Sequence, residues 1–191
     1  MIRSPVSSSS RGFTLIEVLV TLLIISIGLL GLAGLQVTTL KSQLETYQRA
    51  QAILLVQDMV NRLRVNTLAA RNGDYPNGSE YGLLDPDDIC PADPLSATMA
   101  QNDLCEWNDF LAGTDVTLAG ANQGSVSGAR GCIENVVDTN FGEAVVRITV
   151  AWQGTTPTSA PRSDCGEDEY GDDDSFRRTF SLDAVLADLA L

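Results

Sequence analysis

Histidine does not occur in this 191-residue chain, and lysine occurs once, at Lys41. These two gaps remove imidazole general bases, imidazole metal ligands and Schiff-base chemistry. Basic residues are also scarce beyond residue 71, where five arginines (Arg130, Arg147, Arg162, Arg177 and Arg178) stand against 22 acidic residues, a formal charge of −17. Such a surface repels nucleic acid and anionic headgroups, and no basic stripe offsets the repulsion, so no nucleic-acid partner is expected. Proline is missing between Pro5 and Pro76, which leaves a long interval free of helix breakers. None of the four cysteines has C-x-x-C spacing, and with no histidine to help them a zinc site is not expected. No other metal or cofactor is expected, and no nucleophile–base constellation marks an enzyme.

What is present is unevenly spread. The apolar fraction of 44% suffices for one globular core plus an appended segment. Much of it, however, sits in Phe13 to Leu35. Ahead of that run, residues 1–12 form a short polar leader with Arg3, Arg11 and the serine run Ser7 to Ser10. Val18 to Leu35 is 18 successive residues without a charge, long enough to cross a bilayer as a helix. The leader arginines favour a cytoplasmic N-terminus.

An ordinary secretory signal would need a small-x-small site after its apolar core, and Gly31-Leu32-Ala33 is available, but the core is longer than usual. A plain signal anchor fits the length and leaves Glu17 unexplained, since a carboxylate in an apolar helix costs on the order of 2–3 kcal/mol. The run Arg11-Gly12-Phe13-Thr14-Leu15-Ile16-Glu17-Val18 resembles the class III signal of type IV prepilins and type II secretion pseudopilins: a basic residue, the cleavage-site glycine, phenylalanine, and glutamate five positions after the cut. The resemblance implies that a membrane prepilin peptidase/methyltransferase cuts between Gly12 and Phe13 and methylates the new amine of Phe13. It implies an assembly role for Glu17, whose carboxylate neutralises the Phe13 amine of a neighbouring subunit and sets axial register. Thr14 is expected to add a hydrogen bond at that junction.

With no proline in the way, a helix begun at Phe13 is expected to run unbroken to Arg71, roughly 90 Å at about 1.5 Å per residue. Residues 13–35 form its transmembrane and assembly half. Residues 36–71 form an amphipathic half, with Ile53, Val56, Val60 and Leu63 on one stripe beside Leu55 and Met59, and with Arg49, Asp58, Asn61, Arg62 and Arg64 on other faces. Gly28, Gly31 and Gly34 recur every three residues, permitting close helix approach while each weakens the helix by roughly 1 kcal/mol against alanine.

Residues 72–191 read as an acidic, disulfide-containing head. Asn72 to Gly78 is loop-like. Leu104, Trp107 and Leu111 share a face of a short helix. Ala144 to Trp152 alternates as a strand, with Val146, Ile148, Val150 and Trp152 on one side. Phe176 to Leu182 is a second strand, with Phe176, Phe180 and Leu182 on one face, and the apolar tail Ala184 to Leu191 is expected to close as helix. The fold class is α+β, a small antiparallel sheet packed on the helix stripe. Three disulfide pairings are open. Cys90–Cys105 and Cys132–Cys165 are favoured, the second because it ties the segment before the strand to the loop after it, with contributions of roughly 3 and 4 kcal/mol on the chain-entropy model. Asp164 to Asp174 holds seven acids in 11 residues. That loop lacks EF-hand order and reads as solvated, with calcium the sharper alternative.

Three stretches of the head, Asp103-Leu104-Cys105-Glu106-Trp107, Ala129-Arg130-Gly131-Cys132-Ile133 and Ile148 to Gly154, resemble the PilV-type minor pilins. The resemblance implies the type IV pilin fold and a minor subunit that primes pilus assembly with other minor pilins and the major pilin, supporting a tip adhesin, adhesion and twitching motility. It implies residence in the inner membrane, head in the periplasm, before assembly, and in the surface pilus afterwards. A minor pseudopilin of type II secretion is the alternative, and a membrane-anchored periplasmic enzyme is a third, disfavoured reading.

Overall fold

The computed structural model describes residues 12–78, 81–83, 86–113, 117–118, 121–122, 126–138 and 143–187. Most of the leader, residues 1–11, and the end of the apolar tail, residues 188–191, lie outside them. Contacts divide the chain into two units, Met1–Ser42 and Gln43–Leu191. The first is described from Gly12 and is helical from Leu15, with every residue to Ser42 exposed.

Helix α1 runs from Leu15 to Val65 and crosses that division. The helix does not continue unbroken to Arg71. At Asn66 the backbone leaves helical geometry (φ −108°, ψ 48°), and a separate helix α2 follows over Thr67–Asn72. The cause is local: Val65, Asn66 and Thr67 are three successive poor helix formers. Asn66 Nδ2 donates to Tyr75 Oη (3.1 Å), and Thr67 Oγ1 donates to the Arg64 carbonyl (2.7 Å). Gly73, in the left-handed region at φ 82°, closes α2 by donating to carbonyls of its last turn.

In the second unit, α1 buries Ala52, Leu55, Val56, Met59, Val60 and Leu63. The stripe is centred one residue earlier than expected, so Ile53 is only half-buried. Helix α3 is a single turn, Pro86–Ile89, and α4 spans Met99–Ala112. Thr98 starts α4 with a capping box: its hydroxyl accepts from Gln101 N–H, and the Gln101 side chain accepts from Thr98 N–H. Ala100, Leu104, Trp107 and Leu111 of α4 join the core. Trp107 is fully buried, tilted against Tyr81 at 5.3 Å between ring centroids, and donates Nε1–H to the Leu55 carbonyl at 3.0 Å.

Strands β1 (Thr117–Leu118) and β2 (Ala121–Asn122) form a short antiparallel pair. The main sheet consists of β3 (Arg130–Asp138), β4 (Glu143–Gln153) and β5 (Arg177–Ala187), antiparallel, with β4 in the centre. Ile133, Ile148 and Leu182 lie in register across it. Val146, Ile148, Val150 and Trp152 face the core as the alternation requires. Two expectations are corrected. The tail from Ala184 to Ala187 continues as strand, because Leu186 and Val185 pair with Ala144 and Val145 and tertiary pairing overrides local propensity. Phe176 precedes β5 and packs with Cys132 on the opposite face, in a small cluster of Ala151, Cys165 and Tyr170.

Candidate functional site

Gly12, Phe13, Thr14 and Glu17 stand together at the start of α1. The Thr14 carbonyl accepts from the Glu17 and Val18 amides (3.1 and 3.3 Å), and Thr14 Oγ1 lies 3.4 Å from the Glu17 nitrogen. Thr14 therefore caps the helix within its own chain. The spacing Thr-x-x-Glu is a helix-start pattern visible in the sequence, and an acid in the first turn suits the helix dipole.

Every large apolar side chain from Phe13 to Leu44 is exposed, Phe13 at 83%. Covering such a surface gains ~1.5–3 kcal/mol per large side chain, so lipid or neighbouring helices must enclose it. The hydroxyls within the run do not oppose this: Thr21 Oγ1 donates to the Val18 carbonyl (2.9 Å) and Ser26 Oγ to that of Leu22 (2.7 Å). Glu17 is the one ionisable group from Phe13 to Leu40, which isolates its carboxylate in apolar surroundings. A Cβ at Gly28, Gly31 or Gly34 would meet nothing within 4 Å, leaving that face open to a second helix.

The later part of α1 is held to the head by two charged clusters, one around Glu45 and one around Arg62. Glu45 accepts from Arg178 Nε (2.8 Å) and from the amide and hydroxyl of Thr155 (2.9 and 2.6 Å). Burial pushes the Glu45 carboxyl up, but the Thr155 donors and the Arg178 guanidinium outweigh it and hold the group below its ordinary value. Arg62 meets Asp58 (2.8 Å), Asp103 (3.1 Å) and Glu106 (2.7 Å). Burial alone would lower the Arg62 pKa; its hydrogen bonds to Glu106, Asp58 and Asp103 raise it instead. Asp103 also accepts from Tyr75 Oη (2.6 Å), and burial together with that carboxylate raises the phenol.

Cys90 is bonded to Cys105 on α4, with Cα atoms 4.7 Å apart, and Cys132 on β3 to Cys165, 5.9 Å apart. Among the described residues, one group of sulfur and carboxylate ligands is close enough for a metal: Cys90, Cys105 and Asp109. Both sulfurs are bonded to each other, so the group does not suit one. In the acidic loop Asp174 turns inward. It pairs with the buried Arg177 at 2.9 Å and accepts from the Asp168 amide at 3.1 Å, while Asp173 accepts from the Ser175 amide. Arg177 also donates to the Ser163 and Cys165 carbonyls. The loop is thus organised around an arginine of the chain itself.

Residues 7–33 match a family described as the prokaryotic N-terminal methylation motif, and residues 34–80 match one described as type IV pilin Tt1218. No curated protein and no solved structure matches the chain.

Proposed function

Because the chain belongs to the type IV pilins, we propose that it is a minor pilin: a non-enzymatic subunit, held in the inner membrane by α1 with its head in the periplasm until it enters a surface filament. A prepilin peptidase/methyltransferase cuts between Gly12 and Phe13 and methylates the Phe13 amine. The observation that carries the reading is Glu17, a lone carboxylate on an otherwise uncharged, fully exposed helix start. A buried charge there is tolerable only when paired, and the new Phe13 amine of a neighbouring subunit is a cation at the same depth. The open face at Gly28, Gly31 and Gly34 supports close packing of such helices. The subunit then primes the filament with other minor pilins and the major pilin and supports a tip adhesin, adhesion and twitching motility, as PilV-type subunits do.

The test is Glu17→Ala expressed in a strain lacking the native gene. The variant is expected to be cleaved normally and to be depleted from sheared filaments. Normal incorporation would remove the assembly role. Deletion is expected to abolish surface pili and twitching. Loss of exoprotein secretion with pili intact would assign the chain to a type II secretion pseudopilus instead.

A further inference from the structure

The face of the β3–β4–β5 sheet turned away from α1 and α4 is covered at one end by the cluster around Cys165 and Tyr170. Beside that cover lies a cavity of about 900 Å³. Its floor is built from two cross-strand rows. Glu134, Arg147 and Asp183 form one, and Cys132, Thr149 and Ser181 form the other. Asn77 stands at its β3 margin.

We propose that this groove is a binding site for a neutral oligosaccharide. The volume falls within the range of about 300–1,000 Å³ usual for small-ligand sites. The floor presents fixed, alternating donors and acceptors: Arg147 meets Asp183 through two hydrogen bonds (2.8 and 3.0 Å), and the Thr149 and Ser181 hydroxyls lie 2.8 Å apart. Vicinal sugar hydroxyls, each both donor and acceptor, match such an array, and little side-chain freedom is lost on binding. A charged ligand fits less well. The groove is lined by two guanidinium groups, Arg147 and Arg162, and three carboxylates, Glu134, Asp164 and Asp183, so a ligand of either sign meets like charges, and the strongly acidic head repels anions. An extended peptide fits less well too, because the floor strands pair with one another and leave side chains, not a backbone ladder, facing the groove. Among the described residues no aromatic ring lines the cavity, so recognition rests on hydrogen bonds and depends on hydroxyl orientation. The site lies on the sheet face opposite the α1 residues that join the core. The inference does not depend on the pilus assignment.

The experiment titrates the full-length ¹⁵N-labelled chain with a panel of neutral tetrasaccharides of hexoses and N-acetylhexosamines. Phosphocholine micelles are required, since maltoside detergents would themselves compete. At least one panel member is expected to shift the amides of Glu134, Thr149 and Ser181 at low millimolar concentration. Ser181→Trp, at an exposed position, is expected to fill the groove and abolish the shifts, and Glu134→Ala to weaken binding roughly tenfold; unchanged spectra elsewhere establish that both variants are folded. Absence of shifts with every sugar, shifts that survive Ser181→Trp, or shifts of these amides by a neutral peptide control in place of the sugars would each overturn the proposal.

Discussion

Arg178 Nε on β5 donates to Glu45 Oε1 on α1 at 2.8 Å, joining residues 133 positions apart. Both side chains are largely sheltered, with 16% and 27% of their surface exposed. The contact fixes where the sheet meets the helix, since Thr155, just past β4, binds the same carboxylate.

The first prediction follows from the direction of the Glu45 shift. A carboxyl held below its ordinary value of 4.5 in the folded state adds stability that is complete above that pH and is lost as pH falls through the folded value. Glu45→Gln keeps the shape and removes the charge, leaving Arg178 without its anion. The variant is expected to lose about 1–3 kcal/mol at pH 7 and to show a shallower decline below pH 4.5 than the parent chain. Urea unfolding of the detergent-solubilised chain, followed by fluorescence, measures both; the two tryptophans, Trp107 and Trp152, are buried in the head. Parallel acid limbs in parent and variant would contradict the assignment.

A second prediction concerns Gly131. A Cβ there would lie 2.4 Å from Trp107 Cη2 and 2.5 Å from Leu111 Cδ1. The indole is fully buried and tied to the Leu55 carbonyl, so it has no direction in which to yield. Gly131→Ala is expected to cost about 3 kcal/mol or more, whereas Trp107→Phe, which loses the hydrogen bond and part of the packing, should cost about 2 kcal/mol. Thermal unfolding ranks the two variants, and the reverse order would refute the packing argument.

Some of this architecture is legible in the chain and some is not. The α1 stripe, the Leu104–Trp107–Leu111 face and the alternation of β4 all follow from local periodicity, because each packs one face on the core. β3 escapes the same reasoning. On its core face Gly131 and Ile133 are buried but Asn135 is exposed, and its strand identity comes from pairing with β4. Phe176 falls in phase with Phe180 and Leu182 on paper, but β5 begins one residue later and the ring joins the other face. The charged clusters are illegible for a different reason. Arg62 and Arg178 look like solvent-facing residues until partners 41 and 133 positions away arrive. At the N-terminus, by contrast, the motif from Gly12 to Glu17 is contiguous and could be read directly.

The third prediction separates the two disulfides. The Cys132–Cys165 bond closes a 33-residue interval and anchors the acidic loop through its buried Cys165, whereas Cys90–Cys105 closes 15 residues. The entropic terms are about 4 and 3 kcal/mol. The paired change Cys132→Ala, Cys165→Ala is expected to destabilise the head more than Cys90→Ala, Cys105→Ala. It should also raise amide hydrogen exchange from Ser163 to Asp174, because Arg177 binds the carbonyls of Ser163 and Cys165. Unchanged exchange in that loop would show that the Arg177–Asp174 pair holds it without the bond.

The last prediction tests whether Gly154 exists to admit Arg178. A Cβ at residue 154 would stand 2.8 Å from Arg178 Cζ and 2.9 Å from its Nη2. The obstructed group is the end of a flexible side chain, so the cost of Gly154→Ala is not a rigid clash. The guanidinium moves aside and gives up Glu45. Gly154→Ala should therefore cost about as much as Arg178→Ala, within the ~1–3 kcal/mol of a partly sheltered, hydrogen-bonded pair. The double variant should cost little more than either alone, since the second change removes an interaction already lost. A double-mutant cycle by urea unfolding reads the coupling directly. Additive losses would mean that Gly154 serves the turn after β4 independently of the arginine, and the Glu45–Arg178 contact would then lose its claim to have set the residue beside it.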